Sequence, residues 1–335
     1  MRRDESVAVD RGQYQDAVTP WATDAWRDAA LAWAERELAA HGLREVGRRT
    51  VRLRPWSVAV RMPVEELGAV WFKAGPPEGA FEAALTDALA HWVPGHVLKP
   101  IAVDAERGWS LTPDGGRLFR DALDRGGAGL PDWENMLRRF AEVQRELTPF
   151  TERMEALGVP NRRVAALPEI FDRMVEENPA LGQADRRALL ALRPRLADWC
   201  TELTAIGVLD SLDHSDLHDG QVFAPEPGRF AFFDWGDAAV SHPFCSLLIS
   251  ARTARERYGP EALPRLRDAY LEPWTGTGPA AAELRRAVTL AWRLGAIGRA
   301  RSWGRLFAGT SGGASGLGET ESARWLRELL TEPPL

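Results

Sequence analysis

Hydrophobic positions along this chain repeat with two different periods, and the place where one gives way to the other divides it. Thr23 and Asp24 open a helix whose Trp26, Ala30, Trp33 and Leu38 share one face before Gly42 stops it, so a helix is predicted over residues 23–41. Short apolar runs then predict strands to about residue 112, among them Ala69-Val70-Trp71-Phe72-Lys73. One segment interrupts them: Phe81, Leu85, Ala88, Leu89 and Trp92 recur at helical spacing. From Arg117 onward the helical period prevails. Trp133, Met136, Leu137, Phe140 and Val143 form one stripe, Leu189, Leu192, Leu196 and Trp199 another, and further helices are predicted over 260–272, 279–307 and 320–331, with Thr310 to Gly316 a glycine-rich connector before the last. An exception falls at 222–233, where Val222-Phe223 and Arg229-Phe230-Ala231-Phe232-Phe233 read as two strands joined by a turn at Pro225-Glu226-Pro227-Gly228. The pattern predicts an α+β protein with a β-rich N-terminal lobe over 1–113 and a larger, mainly helical C-terminal lobe over 114–335.

At 335 residues the chain is long enough for two cores. Its formal charge of -6 and pI near 5.7 argue against nucleic acid as a partner, because phosphate-backbone binding shows as a basic domain or patch. The arginines of Arg285-Arg286 and of Arg293 to Arg301 alternate with other residues and read as solvated helix faces. No signal peptide precedes the first helix and no run approaches the ~20 apolar residues that span a bilayer, so a cytoplasmic, soluble protein without a membrane partner is expected. Cys200 and Cys245 sit in apolar helical contexts and read as buried thiols. Oligomeric state is not legible.

Composition singles out one residue. Of 42 basic side chains all but Lys73 and Lys99 are arginine, and Lys73 ends an apolar strand. Lysine is a compact point charge where arginine is a planar fork, so its retention points to a tight anionic contact. Glu82, nine positions on, starts the following helix. Lys99, before Pro100, reads as a surface residue.

The richest stretch is His214-Ser215-Asp216-Leu217-His218-Asp219-Gly220-Gln221, followed by Phe233-Asp234-Trp235-Gly236. It matches the kinase signature H-R-D-L-x-x-x-N at His, Asp and Leu, and D-F-G at Asp and Gly. Phosphoryl transfer needs these residue types: a carboxylate beside the attacking hydroxyl, for which Asp216 is placed, and oxygen ligands for a divalent ion, which Gln221 and Asp234 supply. Asp210, Asp213, Asp216, Asp219, Glu226, Asp234 and Asp237 face only Arg229 in the local sequence, and such crowding predicts neutralisation by Mg2+, with a cationic acceptor also suited. His214 reads as a brace for the loop, while His218 could line the substrate site or cap the loop.

The order Lys73, Glu82, H-S-D-L-H-D-G-Q and D-W-G, with Gly108 to Gly116 between, resembles the aminoglycoside phosphotransferase and choline kinase superfamily of small-molecule kinases. The resemblance runs from about residue 48 to about 250. It implies a bilobal protein-kinase-like fold, with Asp216 as base, Gln221 and Asp234 as metal ligands, and Lys73 with Glu82 as the phosphate-positioning pair. It also implies that the backbone of Thr112, Pro113 and Asp114 receives the adenine. The family's C-terminal helices shape the acceptor pocket, which makes Trp292, Arg293 and Trp303 candidates to line it. Two positions depart from the family pattern: Gln221 stands where Asn is usual, and Thr50 to Val60 holds no glycine, which shifts phosphate gripping to backbone amides near Trp56 and Ser57. The expected function is an ATP- and Mg2+-dependent transfer of phosphate to a hydroxyl of a small polar molecule. The alternatives are a catalytically silent ligand-binding kinase fold and a metallohydrolase using His214, Asp216 and His218.

Overall fold

The computed structural model describes residues 7–304 and 316–335. The connector read at Thr310 to Gly316 lies outside them except for Gly316. The chain folds into two compact units, one holding residues up to His91 and Leu98–Asp114, the other Trp92–Val97, Gly115–Gly304 and Gly318–Leu335.

The first unit is a mixed sheet with a helix on each face. Its strands are β1 (Ala8–Asp10), β2 (Thr50–Arg54), β3 (Ser57–Val64), β4 (Gly68–Ala74), β5 (Ala102–Asp104) and β6 (Trp109–Pro113), in the order β1-β2-β3-β4-β6-β5. All pairs are antiparallel except β1 with β2. Strict alternation in β3 buries Val58, Val60, Met62 and Val64 on one face. That face meets α1 (Asp24–Ala40) through Ala30, Trp33, Ala34 and Leu38, the residues whose spacing predicted the helix. Trp26, Trp33, Phe72 and Trp109 interlock edge to face at centroid distances of 5.8–6.3 Å. Each such contact adds about 0.5–1.5 kcal/mol beyond area burial. Because Phe72 points at α1, the period of two sends Lys73 to the opposite face, toward α2 (Phe81–Trp92).

The second unit is helical around two small β elements. α3 (Phe119–Asp124) and α4 (Leu130–Leu147) open it, and α4 buries Trp133, Met136, Leu137, Phe140 and Val143 as their stripe predicts. Then come α5 (Thr151–Ala156), α6 (Leu167–Glu177), α7 (Gln183–Ala191) and α8 (Arg193–Ile206). The second stripe is therefore broken, since Pro194 can be accommodated only in the first turn of a new helix. β7 (Asn161–Arg162), β8 (Ser211–Asp213) and β11 (Ala239–Ser241) form a three-stranded sheet in the order β7-β11-β8. Between them β9 (Val222–Phe223) and β10 (Ala231–Phe232) make a hairpin, with a shorter second strand than predicted. α9 (Leu247–Tyr258), α10 (Leu263–Leu271), α11 (Ala281–Trp303) and α12 (Leu317–Arg327) complete the chain.

α11 corrects one expectation. Of its 23 residues 14 are buried, including the unbroken run Leu290 to Gly298, and it packs against α6, α8, α9 and α10. Enclosed on all sides, it draws Arg293 and Arg299 inside rather than exposing them.

Candidate functional site

The sequence-selected residues fall into two groups, one in each unit. In the first, Lys73 lies on the central strand opposite Ala59 of β3 and Ser110 of β6. Its ammonium donates to Glu82 Oε1 at 2.6 Å, with the side chains 24% and 13% exposed. The contact, partly shielded from water, holds the ammonium in a fixed place. Ser57 begins β3 directly after a two-residue turn, Pro55-Trp56, closed by the Arg54–Ser57 register, and Tyr14 packs its ring edge-on to Trp56 at 5.2 Å. The turn is too short to carry a glycine-rich flap. At the end of β6, Asp114 donates its amide to Ala69 O at 3.1 Å and its carboxylate accepts from Arg61 and Trp71 at 3.3 Å. Pro113 has no N–H and the Asp114 amide is spent on Ala69 O, so this strand end offers carbonyl oxygen rather than amide donors.

In the second unit β8 leads into His214-Ser215-Asp216, and the turn is made by Ser215 at φ +60. The other positive-φ residue without a glycine's freedom, among those described, is Asp234 at φ +68. Both bends are strained, at about 1–3 kcal/mol each, and persist only where surroundings impose them. The imposing group for Ser215 is Asp213, 3% exposed. Its carboxylate accepts from Ser215 N (2.9 Å), Ser215 Oγ (2.6 Å) and Ser246 Oγ (2.7 Å). Ser246 Oγ in turn accepts from His214 N at 3.0 Å. Gln144, buried on α4, donates to Leu212 O (2.7 Å), Pro243 O (3.0 Å) and Ser246 Oγ (3.2 Å) and accepts from Tyr270 Oη.

His214 ties this loop to the second motif. Its Nε2 donates to Phe233 O at 2.9 Å and its ring lies 4.7 Å from that of Trp235. Burial lowers its pKa, so the imidazole is neutral and braces rather than titrates. On the other side Phe233 N donates to Gln221 O at 3.1 Å, continuing the β9–β10 register so that Gln221 stands opposite Phe233 and one residue from Asp234. Asp216, Gln221 and Asp234 are thereby held on one backbone framework. His218 caps the 3-10 turn Asp219–Gln221, its Nδ1 accepting from Gly220 N at 2.9 Å.

Arginines from distant parts of the chain reach this framework. Arg299 of α11, 11% exposed, bridges Asp216 Oδ1 at 2.9 Å and Asp237 Oδ2 at 2.6 Å. Asp219, 1% exposed, is held by Arg120 at 2.7 Å and Arg257 at 3.5 Å. Burial works against ionisation of Asp219, but the neighbouring His218 ring and the Arg120 guanidinium outweigh it and its carboxyl titrates low. Asp216 differs. Burial pushes it up to about 6, Arg299 pulls the other way, and Asp237 and Asp234 add to the rise. The crowding that predicted neutralisation by Mg2+ is thus largely met by internal guanidinium groups. No local sequence signal announced Arg299 or Arg120, because their partners are far along the chain.

One expectation is revised, and the C-terminal candidates fall in two places. Among the described residues no group of three His, Cys, Asp or Glu side chains is arranged to hold a metal, and His214 and His218 both spend ring nitrogens on backbone, which removes the metallohydrolase set. Arg293 stacks 4.3 Å from the Trp199 ring and bonds Glu332, so it serves the C-terminal packing. Trp292, also buried, lines a cavity of about 150 Å³ with Arg252, Glu328 and Pro333. Trp303 lies beside Arg299, whose guanidinium sits 5.6 Å from its ring.

A mixed sheet bearing an ion-paired lysine, and a helical unit bearing an acid-rich loop and hairpin, define a protein-kinase-like fold. A model of the phosphotransferase enzyme family matches residues 47–284, and the chain belongs to that family. It is a phosphotransferase acting on hydroxyl groups of small molecules. The fold is shared with the GDP and kanamycin complex of APH(2")-IIia (15% identity, 90% of this chain and 98% of that one, TM-score 0.57). It is also shared with an ethanolamine kinase of Plasmodium vivax (12%, 92% and 88%, 0.57) and with macrolide 2'-phosphotransferase MphH from Brachybacterium faecium (19%, 91% and 99%, 0.55). No curated protein matches by sequence. No helix among the described residues is long and apolar enough to cross a membrane.

Proposed function

We propose that the protein transfers the γ-phosphoryl group of ATP to a hydroxyl of a small polar molecule, with Asp216 as the base that receives or orients the hydroxyl proton. The observation that carries this reading is the pair of bonds His214 Nε2–Phe233 O and Phe233 N–Gln221 O, which fix three oxygen-bearing side chains on one framework. Asp216 is 22% exposed, enough to meet a hydroxyl while staying positioned by Arg299. Lys73, held by Glu82, binds nucleotide phosphate oxygens as a fixed point charge. The backbone of the short turn near Trp56 and Ser57 assists it, and Thr112, Pro113 and Asp114 form the strand end that borders the base.

Gln221 and Asp234 fit a hard divalent ion, since both offer oxygen. Two protein ligands are few, which suits Mg2+, an ion that takes its remaining ligands from substrate phosphates and water. When bound, such an ion neutralises charge on the phosphate oxygens. Gln221 keeps the carbonyl oxygen of the usual Asn one methylene further from the backbone.

The test is nucleotide consumption by the purified chain, with ATP and GTP, with and without Mg2+, across hydroxyl acceptors. Asp216→Ala is expected to lower kcat roughly 10²- to 10⁴-fold with nucleotide binding retained. Undiminished turnover in that variant would remove Asp216 from the reaction.

A further inference from the structure

The acids of residues 210–237 look, in sequence, like a receptor for a cation. In the fold they are largely occupied from within. Asp210 is bound by Arg163 at 2.9 Å, Asp213 by Ser215 and Ser246, Asp219 by Arg120 and Arg257, and Asp216 together with Asp237 by Arg299. The four arginines come from α3, the end of β7, α9 and α11. Glu226, in the hairpin turn, is exposed to water.

Arg299 decides what this means for a ligand. Its guanidinium uses one edge on two carboxylates, and its side chain is 11% exposed. An incoming ammonium group could claim Asp216 or Asp237 only by competing with a cation that is already in place and desolvated, and displacing it would leave a buried guanidinium unpaired. A neutral hydroxyl meets no such competition. Arg299 meets Asp216 at Oδ1, and the Asp216 side chain remains 22% exposed, open to a hydroxyl.

We propose that Arg299 is a specificity-determining residue that makes the acceptor an uncharged polyhydroxyl compound, such as a sugar, rather than a polycation or quaternary amine. The inference rests on Asp216 being the base. Its physical content is competition: one guanidinium already occupies both Asp216 and Asp237 and offsets one of their two charges, so an ammonium group gains less there, while hydrogen bonding to a hydroxyl is untouched.

The experiment compares kcat/KM of the full chain for kanamycin, choline and ethanolamine with that for glucose, maltose and inositol, using Mg2+ and ATP. At least one uncharged compound should exceed every cation by tenfold or more. A cation as best acceptor overturns the proposal, and Asp216→Asn separates the two levels. If that variant abolishes cation turnover, Asp216 stands as base and only the role of Arg299 falls; if turnover survives, the underlying reading falls. A second readout needs no turnover: kanamycin binding by calorimetry should be weak in the wild type and tighten at least tenfold in Arg299→Gln, with folding checked by thermal melt. Tight wild-type binding, or no gain in a folded Arg299→Gln, refutes it. Should Arg299→Gln not fold, Asp237→Asn serves: unchanged kanamycin binding supports internal neutralisation, and weakened binding identifies Asp237 as a cation ligand.

Discussion

Replacing Asp213 by alanine tests whether the Asp216 loop is held as the hydrogen bonds suggest. The carboxylate accepts three bonds of 2.6–2.9 Å in a site 3% exposed. Bonds to a charged group contribute about 1.5–3 kcal/mol each. Alanine removes both acceptor oxygens and so all three bonds, frees the Ser215 amide and two hydroxyls, and withdraws the support for the left-handed turn at Ser215, itself worth about 1 kcal/mol or more. Because hydroxyls can turn to other partners, the net loss expected is about 3–5 kcal/mol, near the upper end for one substitution. Asn should cost about 1–2 kcal/mol, since its amide oxygen can keep the two bonds made by Oδ1 while its NH2 faces the Ser215 hydroxyl as acceptor. Urea unfolding followed by tryptophan fluorescence measures both, as a fall in midpoint at unchanged slope. In the folded Asn variant kcat should drop because relaxation at Ser215 moves Asp216. An alanine variant within about 1 kcal/mol of wild type would refute the anchoring role.

Catalysis should lose activity on the acid side with an apparent pKa of about 6, because Asp216 must be ionised and burial has raised it; kcat/KM is expected to fall about tenfold per pH unit below that point, and a profile flat from about pH 7.5 to about pH 5 would contradict it. His242, pushed down to about 3 by burial, and His214, lowered likewise, stay neutral and add no inflection in that range. Lys73→Met should raise the nucleotide KM roughly 10- to 100-fold, as one charge-assisted contact is worth, and Lys73→Arg should not restore it because the fork does not fit the 2.6 Å contact with Glu82. Unaltered nucleotide kinetics in Lys73→Met would exclude Lys73 from phosphate binding. Gly115→Ala places a Cβ 2.3 Å from the Phe223 ring, which already stacks on Phe233 at 4.3 Å, so a destabilisation of about 1–3 kcal/mol is expected in thermal or urea melts.

What the sequence determined by itself is local. Periodicity carried α1 and α4, because a buried face forces apolar residues to recur at the element's own period, and short apolar runs carried the strands. The Lys73–Glu82 pair was legible through the family resemblance, because the strand and the helix after it and the residues flanking Asp216 and Asp234 kept a recognisable order. What only the tertiary structure decided is the charge balance around Asp216. Arg120 reaches Asp219 across 99 residues and Arg299 reaches Asp237 across 62, and nothing in either segment marks its partner. Arg299 even read as solvent-facing, since a helix enclosed on all sides has no polar stripe to betray which arginine turns inward. Electrostatics depends on distance in space, and in a chain of this length the fold, not the order of residues, sets which charges come within 3 Å of one another.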